Sequence, residues 1–132
     1  MSAADNKQVV RRYFEAMRTG AAELPELLSD DVSWWVPPSS ELGGLHAGKP
    51  AVLRLMAGGT DLYDASQPMQ VDIEQMVAED DWVSVQMTLQ ARTAGGEDYR
   101  NHYHFAFRLA EGRICEVREH LDTLYAQRKL FS

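Results

Sequence analysis

Glu119 interrupts an apolar strand face, and acid–base chemistry is one reason for a carboxylate to stand there. Residues 99–109, YRNHYHFAFRL, alternate with period two. One face carries Tyr99, Asn101, Tyr103, Phe105, Phe107 and Leu109, and the other Arg100, His102, His104, Ala106 and Arg108. The first is the buried face. In the strand that follows, Cys115, Val117, Glu119 and Leu121 form the more apolar set, against Ile114, Glu116, Arg118, His120 and Asp122. Laying the two apolar faces together requires an odd-length loop or a bulge near residues 110–112. Asn101, Tyr103 and Glu119 then break an otherwise apolar wall. Burial disfavours the charged form of a carboxylate, so the pKa of Glu119 should rise toward neutrality. That is the condition for a general acid or base working near pH 7. The alternative is that Glu119 reaches the rim, or bonds Asn101 or Tyr103 in a buried polar network.

Other polar residues carry less chemistry. His102 and His104 share the outer face with Arg100; His102 could lie opposite His120, and Arg100 could pair with Asp122. Three histidines near one another could hold a metal, but a solvated or subunit-facing surface accounts for them better, so no metal ligand and no cofactor is assigned. Cys115 reads as a small buried residue with nothing nearby to lower its pKa. His46 reads as an exposed loop histidine.

The elements that must position these groups follow from periodicity. Asp5 can cap a first helix, with Gln8 in capping-box spacing. Val9, Val10, Tyr13, Phe14 and Met17 make its apolar stripe, and Gly20 stops it. A second short helix is expected over residues 22–28, with Leu24, Leu27 and Leu28 facing in and Pro25 in its first turn. DDVSWWVPP reads as a strand closed by Pro37 and Pro38. Trp35 is placed inward and Trp34 outward, with the reverse left open. SSELGGLHAG reads as loop. Pro50 opens a third helix that buries Val52, Leu53, Leu55 and Met56 and ends at Gly58 and Gly59. From Met69 the period is two: Val71 and Ile73, then Val83, Val85, Met87 and Leu89. The order helix, helix, strand, helix, four-strand meander predicts an α+β fold with helices on one face of an antiparallel sheet.

Composition bounds the function. One domain over the 132 residues is expected, with a core that needs no staples. A net charge of −7 weighs against nucleic acid and against an anionic membrane surface. No window approaches the roughly 18 apolar residues of a membrane span. The N-terminus has no apolar signal region, and one cysteine allows no intrachain disulfide, so a cytoplasmic location is expected.

Four stretches in this order resemble the nuclear transport factor 2-like superfamily, and its SnoaL-like and ketosteroid-isomerase-related branch in particular. VVRRYFEAMRTG resembles the family's first helix and LSDDVSWWVPPSS its first strand. GLHAGKPAVLRLM is similar to the Gly-rich entry into helix 3, and GRICEVREHLDT to the final strand. The resemblance implies a cone: a strongly curved sheet wrapped around three N-terminal helices, enclosing a deep apolar pocket. It also implies a homodimer, with the outer face of the meander as the contact. In ketosteroid isomerases a helix 1 tyrosine and a strand acid hold an oxyanion; Tyr13 falls at the first position and Tyr103, allowing one gap, at the second. Two phenols converging on one carbonyl oxygen would stabilise an enolate. Glu119 sits where the family's epoxide hydrolases and cyclases place an essential Asp. The isomerases' catalytic Asp on the first strand is missing from SWWVPP, and the hydrolases' Asp–Arg pair is replaced by Val83, Val85, Met87 and Leu89. Standard steroid isomerisation and epoxide hydrolysis are therefore disfavoured.

The expectation is a small cofactor-independent enzyme that transfers a proton on an apolar cyclic carbonyl compound. Glu119 would move the proton, and Tyr103 with Tyr13 would hold the oxygen. Asn101, Trp35, Met17, Met87, Phe105 and Leu121 would contact the ligand. The rival is a non-catalytic binder of a hydrophobic metabolite with the same fold. An interaction domain with an incidental pocket is the third reading.

Overall fold

A computed structural model describes residues 1–131. Helix α1 (Ala3–Thr19) begins on Ser2, whose hydroxyl accepts the Asp5 N–H while the Asp5 carboxylate accepts the Ser2 N–H, both at 3.1 Å. The capping box is therefore Ser2 with Asp5, one turn earlier than Asp5 with Gln8. Gly20 closes the helix at a left-handed φ of 69°. The expected second helix shrinks to one 3-10 turn (Leu24–Leu27), because Leu28 already pairs in the sheet opposite Ile114.

Strand β1 (Leu28–Val36) is followed by β2 (Gly44–Ala47), inside the stretch read as loop. It is an edge strand whose Leu45 is 67% exposed, so no apolar alternation marks it. Helix α2 (Lys49–Thr60) holds Pro50 in its first turn and buries Val52, and it runs through Gly58 and Gly59. Strands β3 (Gln70–Glu79), β4 (Trp82–Arg92), β5 (Asp98–Ala110) and β6 (Arg113–Leu121) form the meander. A last helix, α3 (Thr123–Leu130), was not anticipated; the Asp122 carboxylate caps it by accepting the Tyr125 N–H at 3.0 Å.

The sheet order is β2-β1-β6-β5-β4-β3. The chain thus forms the expected α+β cone, with two refinements. The sheet is mixed, since β1 runs parallel to β6, and it stays open at its β2 and β3 edges. The bulge required between β5 and β6 is present: Arg108 faces Glu116 and Leu109 faces Ile114, which leaves Cys115 as the extra residue. Glu111 and Gly112, at φ 53° and 79°, make the turn beside it.

Helix α1 lies against the concave side of the sheet. The Tyr13 ring packs 5.3 Å from Phe14, 5.7 Å from Trp34 and 5.7 Å from Phe107. Val10, Phe107 and Val117 are fully buried there. Each such side chain contributes about 1.5–3 kcal/mol through removal from water.

Candidate functional site

The bulge sets the face of β6. Beyond it Phe107 faces Val117, Phe105 faces Glu119 and Tyr103 faces Leu121, so Glu119 joins the concave wall. The parallel pairing of β1 puts Trp34 opposite Val117 on the same wall. The Trp34 Nε1–H donates to Oε1 of Glu119 at 2.8 Å. Trp34 is 3% exposed, whereas Trp35 lies on the outer face with its ring 5.0 Å from that of His120. The inward placement of Trp35, and with it a ligand contact inside the cone, is therefore corrected in favour of Trp34. Two adjacent tryptophans fit a strand in either register, and only the pairing of β1 with β6 decides between them.

Burial pushes the Glu119 carboxyl up to about 7, with the Trp34 N–H pulling partly the other way. Neighbouring protein atoms crowd the carboxyl, while the residue as a whole stays half-buried, with more accessible surface than the fully buried Val117 on the same strand. With Oε1 held by the indole, Oε2 is the oxygen left to take or give a proton.

Burial, and after it the charge of Glu119, raises the Tyr13 phenol above its ordinary value. The Tyr103 phenol is raised well above it by burial first, with the charges of Tyr63, Tyr99 and Glu119 adding to the shift. Both expected phenols are thus neutral donors in the field of Glu119. Tyr13 belongs to the aromatic packing around Trp34. Tyr103 stacks on Phe105 at 5.8 Å and shares a 2.8 Å hydrogen bond with the hydroxyl of Tyr99, a residue that alternation placed inward without a role. Met87 and Phe105 are buried on the same wall, and Met17 and Leu121 pack partly buried against it.

Asn101 is 1% exposed, but its amide is already engaged. Nδ2 donates to the Tyr99 hydroxyl at 2.8 Å and to the Asp122 carbonyl at 3.1 Å, while Oδ1 accepts the His102 N–H at 2.8 Å. Asn101 therefore braces the structure rather than offering a free group to a ligand.

The outer face differs in kind. His104, not His102, stands opposite His120, and Asp122 caps α3 rather than pairing with Arg100. Ser84 Oγ and His104 Nε2 are 2.8 Å apart. The Thr88 hydroxyl donates to the Glu74 carboxylate and lies 3.2 Å from His102 Nδ1. A groove of about 310 Å³ runs there, lined by Glu74, Gln86, Met87, His102, Tyr103 and His104. Among the described residues, no group of three or more His, Cys, Asp or Glu side chains is arranged to hold a metal ion. Among them too, no helix is long and apolar enough to cross a membrane. The Cys115 thiol, raised by burial, donates to the Arg108 carbonyl at 3.3 Å.

The model of the SnoaL-like domain matches residues 10–117, which takes in α1 from Val10, the whole of β1 to β5, and β6 as far as Val117. The chain belongs to the SnoaL-like family. Among curated proteins, none matches it. Solved structures show the same fold. Bal32a, from a soil-derived mobile gene cassette, is 25% identical over 98% of both chains, with a TM-score of 0.81. A candidate SnoaL-like polyketide cyclase from Jannaschia sp. CCS1 is 18% identical, with a TM-score of 0.81 over 97% of this chain and 92% of the other. TerC, co-crystallised with polyporic acid, is 17% identical, with a TM-score of 0.83 over 97% of this chain and 99% of the other.

Proposed function

We propose that this SnoaL-like protein is a cofactor-independent enzyme that moves a proton on an apolar cyclic carbonyl compound. The observation that carries this reading is the Glu119 carboxyl, held near neutrality inside an aromatic wall with one oxygen tied to Trp34. At pH 7 roughly half the population is carboxylate, able to accept a proton from carbon beside a carbonyl, and half is acid, able to return one. As the C–H bond breaks, its electron pair forms the C=C bond and the carbonyl π pair moves to oxygen. That oxygen would be held by Tyr103, with Tyr13 as the second phenol. The charge of Glu119 raises both phenols, so a proton arriving on Glu119 removes that effect. The donors strengthen at the moment charge appears on the substrate. Return of the proton at another carbon isomerises; attack of the enolate on a second carbonyl closes a ring.

The ligand would lie among Phe105, Met87, Leu121 and Met17. Partly buried Met17, Met56 and Met76 are unbranched side chains that can shift to open a hydrophobic pocket. A solvated cytoplasmic setting suits the lone Cys115. A homodimer would use the outer face, where Leu45 and Val77 are exposed and the Trp35 ring lies tilted against that of His120.

The test needs no knowledge of the substrate. Cyclic ketones such as cyclohexenone and tetralone are incubated in D₂O with the protein, and deuterium beside the carbonyl is followed by mass spectrometry. Exchange that depends on the protein and disappears in Glu119→Gln supports the enzyme. Saturable binding of the ketones without exchange favours the second reading, a carrier. The dense ring packing around Tyr13 is the observation on that side.

A further inference from the structure

The direction of the hydrogen bonds around Asn101 can be assigned. The His102 N–H can only donate and the Asp122 carbonyl can only accept, so the Asn101 amide has one orientation, with Oδ1 toward His102 and Nδ2 toward Asp122. The second Nδ2 proton then goes to the Tyr99 oxygen, 2.8 Å away. Tyr99 receives that bond, and its hydroxyl lies 2.8 Å from that of Tyr103 and is also hydrogen-bonded with that of Tyr63. When Tyr99 donates, Tyr103 is left with a filled acceptor and a proton of its own to give. In that arrangement the donors run from Asn101 through Tyr99 to Tyr103, whose proton goes to the Tyr63 hydroxyl until a ligand oxygen takes it.

The far end of this wire is tied to the C-terminal helix. The Asp122 carbonyl lies at the N-cap of α3. Tyr125, in the first turn of α3, accepts the Arg100 N–H at 3.0 Å and packs its ring 5.3 Å from that of Tyr99. Tyr63 holds the other side of Tyr99, ring to ring at 5.5 Å. Seating of α3 thus fixes both ends of the wire's first link.

We infer that Asn101 and Tyr99 are positioning residues for Tyr103, and that docking of α3 sets how strongly Tyr103 donates to a ligand oxygen. A phenol that accepts a hydrogen bond is a better donor, because the accepted proton stabilises the charge its oxygen gains. The inference rests on the reading of Tyr103 as the donor that holds the substrate oxygen.

The test compares 2-naphthol, which can bind as its anion, with naphthalene, which offers no oxygen, by fluorescence titration across pH. Tyr99→Phe keeps the ring between Tyr63 and Tyr125 and removes only the hydroxyl. It should weaken binding of the naphtholate about 5- to 10-fold, as expected for one hydrogen bond, and leave naphthalene unchanged. In a Tyr103→Phe background the same change should cost nothing further. Equal losses for both ligands would mean that Tyr99 is merely structural, and the inference falls. It falls too if Tyr103→Phe weakens the naphtholate and Tyr99→Phe does not. If the natural protein does not bind naphtholate, the proposed oxygen-holding role of Tyr103 fails. The wire is then judged without ligand, by proton NMR of the phenolic hydroxyls. Tyr99→Phe should shift the Tyr103 hydroxyl upfield, and Tyr125→Ala should speed its exchange with water; a Tyr103 resonance unmoved by both overturns the wire.

Discussion

Glu116 and Glu119 stand three residues apart on β6 and face opposite sides of the sheet. Burial alone would raise Glu116, but Arg108 and Arg118, each with Nε 3.1 Å from its carboxylate, outweigh it and hold the carboxyl below its ordinary value. Glu119 meets no guanidinium; what reaches it is a neutral indole N–H, and burial wins. The same residue type on the same strand is thus a fixed anion outside and a titratable group inside. The difference lies less in depth than in what the opposite strand and helix present: β5 sends Arg108 outward, and Phe105 and Tyr103 inward. A carboxylate becomes a candidate base here because the cone supplies rings where the outer face supplies cations.

That contrast can be broken most strongly at Glu119 itself. If the proton is moved there, Glu119→Gln should lower ketone exchange by about 10²- to 10⁴-fold, the range typical of a lost general base. Glu116→Gln, on the same strand, should leave the rate within about two-fold. Trp34→Phe keeps a ring in the wall and deletes the donor to Oε1. Loss of a hydrogen bond to a buried charged group costs about 1.5–3 kcal/mol when the group is ionised. The Glu119 pKa should therefore climb above 7, moving the rising limb of the pH–rate profile to higher pH and depressing stability most in alkaline buffer. Carboxyl-labelled NMR titration and urea melts at pH 5 and pH 8 would check both.

Glu119 also makes a prediction about stability and pH. Its folded value, about 7, lies above the 4.5 of an unperturbed Glu. Below pH 4.5 the group is protonated in both states and costs nothing. Between pH 4.5 and 7 the unfolded chain ionises first, so stability falls as pH rises and levels off above the folded value. The loss should be about 2 kcal/mol, less than full linkage because the residue is only half-buried. Glu119→Gln should flatten this slope and be the more stable protein at pH 8.

How much of this was legible beforehand depends on what fixes each residue. Tyr13 and the inward row Tyr99, Tyr103, Phe105 and Phe107 follow from periods of 3.6 and 2, which are local. The inward face of Glu119 required the bulge at Cys115, which steric and apolar matching demanded even though its position is a tertiary fact. Trp34 was placed outward, with the reverse left open, because its face depends on a parallel partner far away in sequence. Asn101 sits on the expected wall, but whether an inward amide is free or consumed depends on α3. That helix, with only Ala126 buried, shows too little apolar pattern to announce itself. Strand β2 escaped for a similar reason, since an edge strand with exposed Leu45 has no face to bury.

The smallest effect belongs to the outer glutamate and completes the contrast. Arg118 is 62% exposed and Arg108 39%, so solvent screens both partners of Glu116. Arg118→Ala should cost no more than about 0.5 kcal/mol, because Arg108 remains to hold the carboxylate. The pH sign is opposite to that of Glu119: a lowered carboxyl contributes stability above its unfolded value, and that contribution is lost as pH falls through the folded one. In the Glu119→Gln background, where the inner slope is gone, a small rise in stability with pH should remain in acid. Glu116→Gln should lessen it, as read from urea melts between pH 3 and pH 5, with the lowered carboxyls of Asp5, Glu15 and Asp64 supplying the rest. If Glu116→Gln instead abolished a slope between pH 5 and 7, the two carboxyls would have to be exchanged in role. The aromatic wall would then not be what distinguishes them.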